Sequence, residues 1–475
     1  MNKEIVIATG MGFGEEAKGA TVEWLSRKLK AHTNIRSGGC QSGHQIVLEN
    51  GIEHQFTHFG AGTFEGAKTH LVDMVISPVD LFREAVELEE KGIKNPFSLV
   101  TVDGKCLTIT PYHSAISRFR EIMRGNDKKG TVGKGVGEAV RDSSNFEIAI
   151  RAEEFYGDPS RLAEKVENIR RSKLEVAQEI LAKNSGKMPD EARVEYELLL
   201  NKDLVGLTVE SYKYFADIVD IVDKPFMKNL LSKDGAIVVE PDHGVLHHPW
   251  YGFVPHVTQV DPTSSGLISL FKSGGYNGKV FRLGVNRAYM TRHGAGPLVS
   301  YSPELTKSIK ETHNNKAEDN AWLGEFRSGH YDIVAMKYAI EVSGGKNAYG
   351  GLNLSYMDEV AKAKEWGVCV AYQYDGKLFD LEKYFNLENG LITGIKVHPN
   401  TRDTNHLNHQ IQLTQLLKQC HPVLTTLRPE SGKPLSEVFI DFVEDSLGIP
   451  VVSTSSGPKV SDKTVRPGYE VLFSI

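Results

Sequence analysis

The chain has 475 residues, 40% of them hydrophobic and 24% charged, which is the make-up of a folded, soluble protein with room for a large core. Lysine and arginine (55) against aspartate and glutamate (61) leave a net charge of −6, which disfavours a general nucleic-acid binder, and no run approaches the roughly 18 apolar residues of a membrane span. Cys40, Cys106, Cys369 and Cys420 are scattered with no Cys-x-x-Cys pair, so neither a zinc ribbon nor a disulfide framework is indicated; with Lys3 and Glu4 ahead of an apolar run too short for a signal peptide, a cytoplasmic protein is expected.

Ile5–Ile7 is a short apolar run that reads as a buried strand. It breaks into Gly10, Gly12 and Gly14, then Glu15, Glu16, Lys18 and Gly19, and becomes helical from Thr21, with Val22, Leu25 and Leu29 on one face. Strand, glycine loop and helix together point backbone N–H groups at an anion. A lysine there suits phosphate, and the adjoining carboxylates suit Mg²⁺ or proton transfer. The stretch matches neither G-x-x-x-x-G-K-[ST], because Ala20 follows Lys18-Gly19, nor G-x-G-x-x-G, because Glu15 stands at the third glycine. From pattern alone it also reads as a tight turn with exposed charges.

Thr33–Val47 is expected to be a loop, with His44 after Gly43 as a candidate acid or oxyanion donor, or a solvated histidine. Val72–Ser77 and Ser98–Val102 read as strands around a helix over Pro78–Lys91. Gly130–Gly137, with Thr131 and Lys134, reads either as a second phosphate loop or as a surface turn. Arg151–Asp223 is charge-dense with apolar residues at helical spacing (Leu162, Val166, Ile169, Ala177), predicting a helical subdomain over residues 151–230. Ala236–Glu240 is a strand ending in Pro241-Asp242-His243-Gly244, the usual place for a ligand in an open α/β sheet. His243 and His247 have metal-ligand spacing, but Gly244 and Pro249 argue against the helix that would align them. In Asn286–Pro297, Arg287 and Arg292 are available for an anion. Trp322–Asp332 reads as a loop opening the helix Ile333–Val342, and Leu352–Asp358 precedes a helix and the strand Val368–Tyr372. Helices over Gln410–Gln419 and Leu435–Leu447, a loop over Ser453–Pro458 and a last strand over Tyr469–Phe473 complete the chain.

Seven of these loops, in order, resemble adenylosuccinate synthetase. That family's W-G-D-E-G-K-G-K is similar to Phe13–Ala20, its G-G-x-N-A-G-H-T to Gly38–Gln45, and its G-T-T-G-R-G-I-G to Gly130–Gly137. E-G-A-Q-G resembles Glu240–Gly244, T-R-V-G-A-G-P resembles Thr291–Pro297, T-K-L-D resembles Ser355–Asp358, and S-T-G-P resembles Ser455–Pro458.

The resemblance implies an α/β fold: a large central, mostly parallel sheet flanked by helices, P-loop-NTPase-like, one domain over residues 1–475 with the helical subdomain inside it. It implies a homodimer and a GTP-dependent ligase that joins aspartate to the 6-position of IMP. Glu15 and His44 would be catalytic. Gly14, Glu16, Ala17, Lys18, Gly19, Gly43, His44 and Gln45 would hold nucleotide phosphate, and Glu15 with the Gly43 carbonyl would hold Mg²⁺. Tyr356, Asp358, Ser455 and Gly457 would take guanine; Gln41, Thr131, Val132, His243 and Thr258 the purine monophosphate; and Arg327 the amino acid.

The departures from the family pattern fall at the chemistry. Glu15 replaces its aspartate, Gln41 its asparagine, His243 its glutamine, Val132 a threonine and Tyr356 the lysine of T-K-L-D, and the amino-acid loop keeps few arginines beside Glu325. Two other readings therefore stand beside the first. One is a diverged ligase acting on a guanine nucleotide such as (d)GMP, as in 2-aminoadenine precursor synthesis, or using ATP. The other is a nucleotide-binding regulatory protein without turnover.

Overall fold

The computed structural model describes residues 3–312, 322, 324–377 and 380–473. Its centre is the strand Lys3–Gly10, whose Ile5–Ala8 run is wholly buried. Alternate side chains enter different parts of the core. Val6 and Ala8 join Val22, Leu25 and Leu29 of the first helix, while Ile5 and Ile7 join Ile35, Ile237, Val239 and Phe271. A strand covered on both faces needs an unbroken apolar run, which is why this one carries no polar alternation.

The strand sits between two parallel neighbours, Gly235–Pro241 and Val280–Arg287. From one edge the large sheet runs Lys463–Val465, Val451–Ser455, Gly351–Ser355, Val280–Arg287, Lys3–Gly10, Gly235–Pro241, Thr33–Gly39, Lys68–Ile76, Val100–Asp103 and Asp220–Val222, with Leu107–Thr108 beside Lys68–Ile76. Lys463–Val465 pairs antiparallel; the other pairings are parallel. The expected large, mostly parallel sheet flanked by helices is therefore present. Parallel pairing also brings Gly10, Gly39, Pro241, Arg287, Ser355 and Ser455 to one edge of the sheet as strand ends, where open α/β sheets bind ligands. A smaller sheet, built around Trp366–Tyr374 and Cys420–Leu427, packs with the helices Ile333–Val342 and Leu435–Leu447.

The segment over residues 151–230 holds the helices Pro159–Lys183, Asp190–Leu200 and Asp203–Ile218 and most of Lys224–Ser232, which runs past its end. Leu162, Val166, Ile169 and Ala177 are buried against the helix Pro111–Met123 and its neighbours, whereas Asp220–Val222 in the same segment is an edge strand of the large sheet. Among the described residues no helix is long and apolar enough to cross a membrane.

Four local expectations change. The first helix begins at Lys18, three residues before the apolar periodicity at Thr21. Thr33–Val47 contains the strands Thr33–Gly39 and His44–Val47; the glycines that signal a loop are strand-end residues, and Gly38 adopts φ +111° against Asp242. Trp322–Asp332 contains the strands Phe326–Gly329 and Tyr331–Asp332, while Leu323 lies outside the described residues. Tyr469–Phe473 is no strand: Glu470–Phe473 forms a 3₁₀ turn that seats Phe473 5.0 Å from Trp24, because Lys463–Val465 already takes the sheet edge.

Candidate active site

The strand ends surround a cleft of about 1090 Å³. Its floor is the loop after the central strand. A Cβ on Gly10 would lie 2.4 Å from Glu16 Oε2, and one on Gly12 2.8 Å from Glu16 Oε1, so only glycine admits the Glu16 carboxylate into the loop. Gly14 N–H donates to Glu16 Oε1 at 2.6 Å. Lys18 Nζ, buried, donates to Gly14 O at 3.1 Å and Glu16 Oε2 at 3.0 Å. A Cβ on Gly19 would stand 2.7 Å from Gln45 O and 2.8 Å from the His44 carbonyl carbon; its absence lets the first helix seat against the strand carrying His44. Ala17 holds φ 64°, a left-handed conformation, at a place where the family motif has glycine.

His44 is buried, and its Nδ1 lies 2.6 Å from Glu240 Oε1. Glu240 Oε2 accepts from Ala61 N–H at 2.9 Å, and Arg36 approaches Oε1 at 3.6 Å. Arg36 Nη2 also donates to Asp242 Oδ1 at 2.9 Å, and Asp242 Oδ2 accepts from Gly39 N–H at 2.5 Å. Burial pushes Glu240 up to about 7 against the pull of Arg36. Burial, with the charges of Arg36 and Lys18, holds His44 well below the usual histidine range. Both shifts favour a neutral carboxyl and a neutral imidazole. A carboxyl proton directed at Nδ1 leaves the hydrogen of His44 on Nε2, a buried atom with no hydrogen-bond partner among the described residues. His44 lines the cleft, so this is a donor available to a ligand.

Glu15 also lines the cleft, with 33% of its side chain exposed. Desolvation raises its pKa, but the hydrogen bond and charge of His293, followed by the charges of Arg287 and Lys18, outweigh it and bring it down to about 2. His293 Nδ1 stands 3.1 Å from Glu15 Oε1. No role was assigned to His293 from sequence. The available signal was the coincidence of two departures from the family pattern, glutamate for aspartate at 15 and histidine for valine at 293.

One wall carries Gln41 and His243, 3.3 Å apart through their Nε2 atoms, with Ser42 Oγ 3.4 Å from His243 Nδ1. Burial, with the charge of Lys18, holds His243 down to about 3. Thr131, Val132 and Thr258 line the cleft too; Thr131 N–H donates to Trp322 O at 3.1 Å, and Thr258 Oγ1 accepts from Val260 N–H at 3.4 Å. Arg120, Arg124, Lys129, Lys134 and Arg141 give this end positive charge, part of it balanced by Arg124–Glu121 and Arg141–Glu138 pairs at 2.6 and 2.5 Å. Arg120, Arg124 and Lys129 were missed from sequence. Arg120 reaches the Gly130–Gly137 loop from the helix Pro111–Met123 and Arg124 from the cap that ends it, while Lys129 directly precedes the loop in sequence.

Tyr356, Asp358, Ser455 and Gly457 line the cleft as well. The Arg287 guanidinium lies 4.4 Å from the Tyr356 ring centre, Asp358 Oδ2 pairs with Lys362 at 2.8 Å, and Ser455 Oγ donates to Gly457 O at 2.7 Å. Gln45 lines the cleft while its amide reaches Glu53 at 3.2 Å.

Arg292 lines the cleft and donates to Pro297 O at 2.7 Å and His256 O at 3.2 Å, with its guanidinium 4.1 Å from the Phe13 ring centre. Arg327 donates to Gly294 O and to Gly296 O, the latter at 2.6 Å, and is not among the residues lining the cleft.

No cluster of three or more histidine, cysteine, aspartate or glutamate side chains suited to a metal occurs among the described residues. Mg²⁺ needs less protein than that when phosphates complete its shell. An ionised Glu15 and the carbonyl of Gly43 are hard oxygen donors on cleft-lining residues and fit that requirement.

The model of the adenylosuccinate synthetase family matches residues 6–464. An adenylosuccinate synthetase of Mycobacterium sp. (strain KMS) is 28% identical over 383 residues, covering 79% of this chain and 82% of the relative. The structure of fully ligated adenylosuccinate synthetase from Plasmodium falciparum aligns with TM-score 0.74 at 18% identity, covering 98% of this chain and 100% of that one. The cyanophage S-2L succinoaminodeoxyadenylate synthetase bound to dGMP and dATP aligns with TM-score 0.53 at 14% identity over 100% of both chains.

Proposed function

The chain belongs to the adenylosuccinate synthetase family of carbon–nitrogen ligases, and from that premise we propose that its cleft uses GTP to join aspartate to C6 of IMP, releasing GDP and phosphate. The observation that carries this reading is the meeting, in one cleft, of a buried histidine donor, an ionised carboxylate and a buried lysine in a glycine loop: His44, Glu15 and Lys18.

The 6-oxygen must become a leaving group. Glu15 takes the N1 proton, and the oxygen of the resulting anion attacks the γ-phosphorus of GTP, breaking its bond to the bridging oxygen so that GDP leaves. His44 Nε2–H donates to the migrating phosphoryl group, with Glu240 holding Nδ1. The aspartate amine then adds at C6 and gives up a proton to solvent as the C6–O bond breaks and phosphate leaves, and Glu15 returns the N1 proton to solvent. Lys18 and the loop N–H groups hold phosphate, the basic end beside Gly130–Gly137 takes the 5′-phosphate, and Asp358 accepts from guanine N1–H and N2–H. When bound, Mg²⁺ would be held by Glu15 and the Gly43 carbonyl and would neutralise charge on the GTP phosphates. A homodimer in the cytoplasm accords with this reading.

One observation favours a second acceptor, a guanine nucleotide such as dGMP. Gln41 Oε1 is buried without a partner beside His243, and a carbonyl in that state suits the 2-amino group that IMP lacks. The cyanophage relative is bound to dGMP and dATP, so ATP belongs among the donors tested. Purified protein with GTP or ATP, Mg²⁺, aspartate and IMP, GMP or dGMP, followed by mass spectrometry for succinyl adducts, separates the readings. An adduct from IMP is expected. An adduct from a guanine nucleotide alone moves the assignment to the second reading, and nucleotide binding with no adduct or phosphate release refutes both.

A further inference from the structure

We propose that His293 is a positioning residue for Glu15, which makes the two side chains one functional unit that replaces the family's shorter carboxylate. This rests on the ligase reading above, in which Glu15 takes the substrate proton.

Glutamate carries its carboxylate roughly 1.5 Å farther from the backbone than aspartate, and a misplacement of that size is costly where a proton must be taken from a fixed atom. It also adds a rotatable bond. A longer base therefore needs something to fix it. His293 stands where this occurs: its Nδ1 is 3.1 Å from Glu15 Oε1 although the residues are 278 apart in sequence. The ring cannot swing freely. His293 ends the strand Met290–His293, is paired in register with Phe326, and meets the Phe326 ring edge-on at 5.1 Å. Its side chain is 7% exposed.

Nδ1–H of His293 engages Oε1 and so restricts the Glu15 carboxylate, whose remaining lone pairs stay open to a ligand in the cleft. Valine, the family's residue at this place, has no donor and could hold neither carboxylate. An incidental surface ion pair is the simpler account of many such contacts, but here the histidine is buried and the carboxylate lines the cleft. The other ring nitrogen, Nε2, is buried with no partner among the described residues, so Glu15 is the hydrogen-bond partner that orients the ring.

The full-length protein is compared with Glu15→Asp, His293→Val, the double variant, and His293→Asn, whose amide nitrogen stands in for Nδ1. Glu15→Asp and His293→Val are each expected to lower kcat about 100-fold, with the KM of the acceptor nucleotide within about twofold. The double variant should fall no lower than either single one, because a shorter carboxylate has no use for the ring. His293→Asn should keep at least about a third of the parent kcat. Parent kcat in His293→Val, or losses that multiply in the double variant, overturns the proposal. A second arm needs no turnover. In protein with ¹⁵N-labelled histidine, His293 should give a downfield Nδ1–H signal that disappears in Glu15→Ala; protonation at Nε2 alone overturns the proposal. If the signal is present but the parent forms no adduct with any acceptor, it is the ligase reading that fails.

Discussion

The Glu240 carboxylate meets His44 Nδ1 at 2.6 Å across 196 residues of sequence, and burial favours keeping both groups neutral. This places the available hydrogen on His44 Nε2 without requiring a buried imidazolium beside Arg36 and Lys18. His44→Ala should therefore lower kcat by about 10²–10⁴ and leave nucleotide binding intact. Glu240→Gln keeps a donor opposite Nδ1 and should retain more activity than Glu240→Ala. Steady-state rates of the three variants check this, and equal loss in Gln and Ala would remove the tautomer argument.

The same carboxyl predicts a pH dependence of stability. Its folded pKa, about 7, lies above its ordinary value of 4.5. The contribution is therefore fully present below pH 4.5 and is lost as pH rises through 7. Relative to Glu240→Gln, the parent should lose on the order of 3 kcal/mol across that interval and stay level above it. Urea unfolding of both proteins from pH 4 to 8 measures the difference.

Glu15 has the opposite sign. Its pKa is held down to about 2, so its stabilising contribution is present above the ordinary carboxylate range and is lost only as pH falls through 2. With Glu15 ionised throughout the working range, turnover in Glu15→Gln should be abolished with GTP binding retained. Calorimetric titration with GTP and a turnover assay on the same preparation test the two halves.

Ala17 sits at φ 64°, where a side chain costs roughly 1–2 kcal/mol. Ala17→Gly relieves that cost but loosens the unfolded chain by about 0.4–1 kcal/mol. A net gain of about 0.5 kcal/mol is expected in denaturant titration; a loss of stability would show that the Ala17 methyl makes a compensating contact.

Asp358, on the cleft wall and paired with Lys362, is the group proposed to read guanine. Asp358→Ala should raise the KM for GTP at least about tenfold and shrink the preference for GTP over ATP, with kcat at saturating nucleotide little changed. An unaltered GTP/ATP ratio would move guanine recognition elsewhere in the cleft.

Much of this architecture was legible in the chain. The apolar run Ile5–Ile7, the glycines after it and the periodicity of Val22, Leu25 and Leu29 are local signals, and local signals report burial and turns directly. They fail where a tertiary neighbour decides. Gly38-Gly39 reads as a loop but ends a strand, because Asp242 of the adjoining strand end packs against Gly38 and receives the Gly39 N–H. Tyr469–Phe473 has the apolar content of a strand but no vacant sheet edge to join.

By itself the sequence determined the inventory: a carboxylate, a lysine and a histidine set in glycine loops, and enough ordered motifs to place the chain in its family. Tertiary structure decided the pairings. Glu240 reaches His44, His293 reaches Glu15, and Arg327 turns to the carbonyls of Gly294 and Gly296 instead of the cleft. The reason is physical. A hydrogen bond is set by about 3 Å of separation and by angle, and those depend on the register of strands hundreds of residues apart, which no local periodicity encodes.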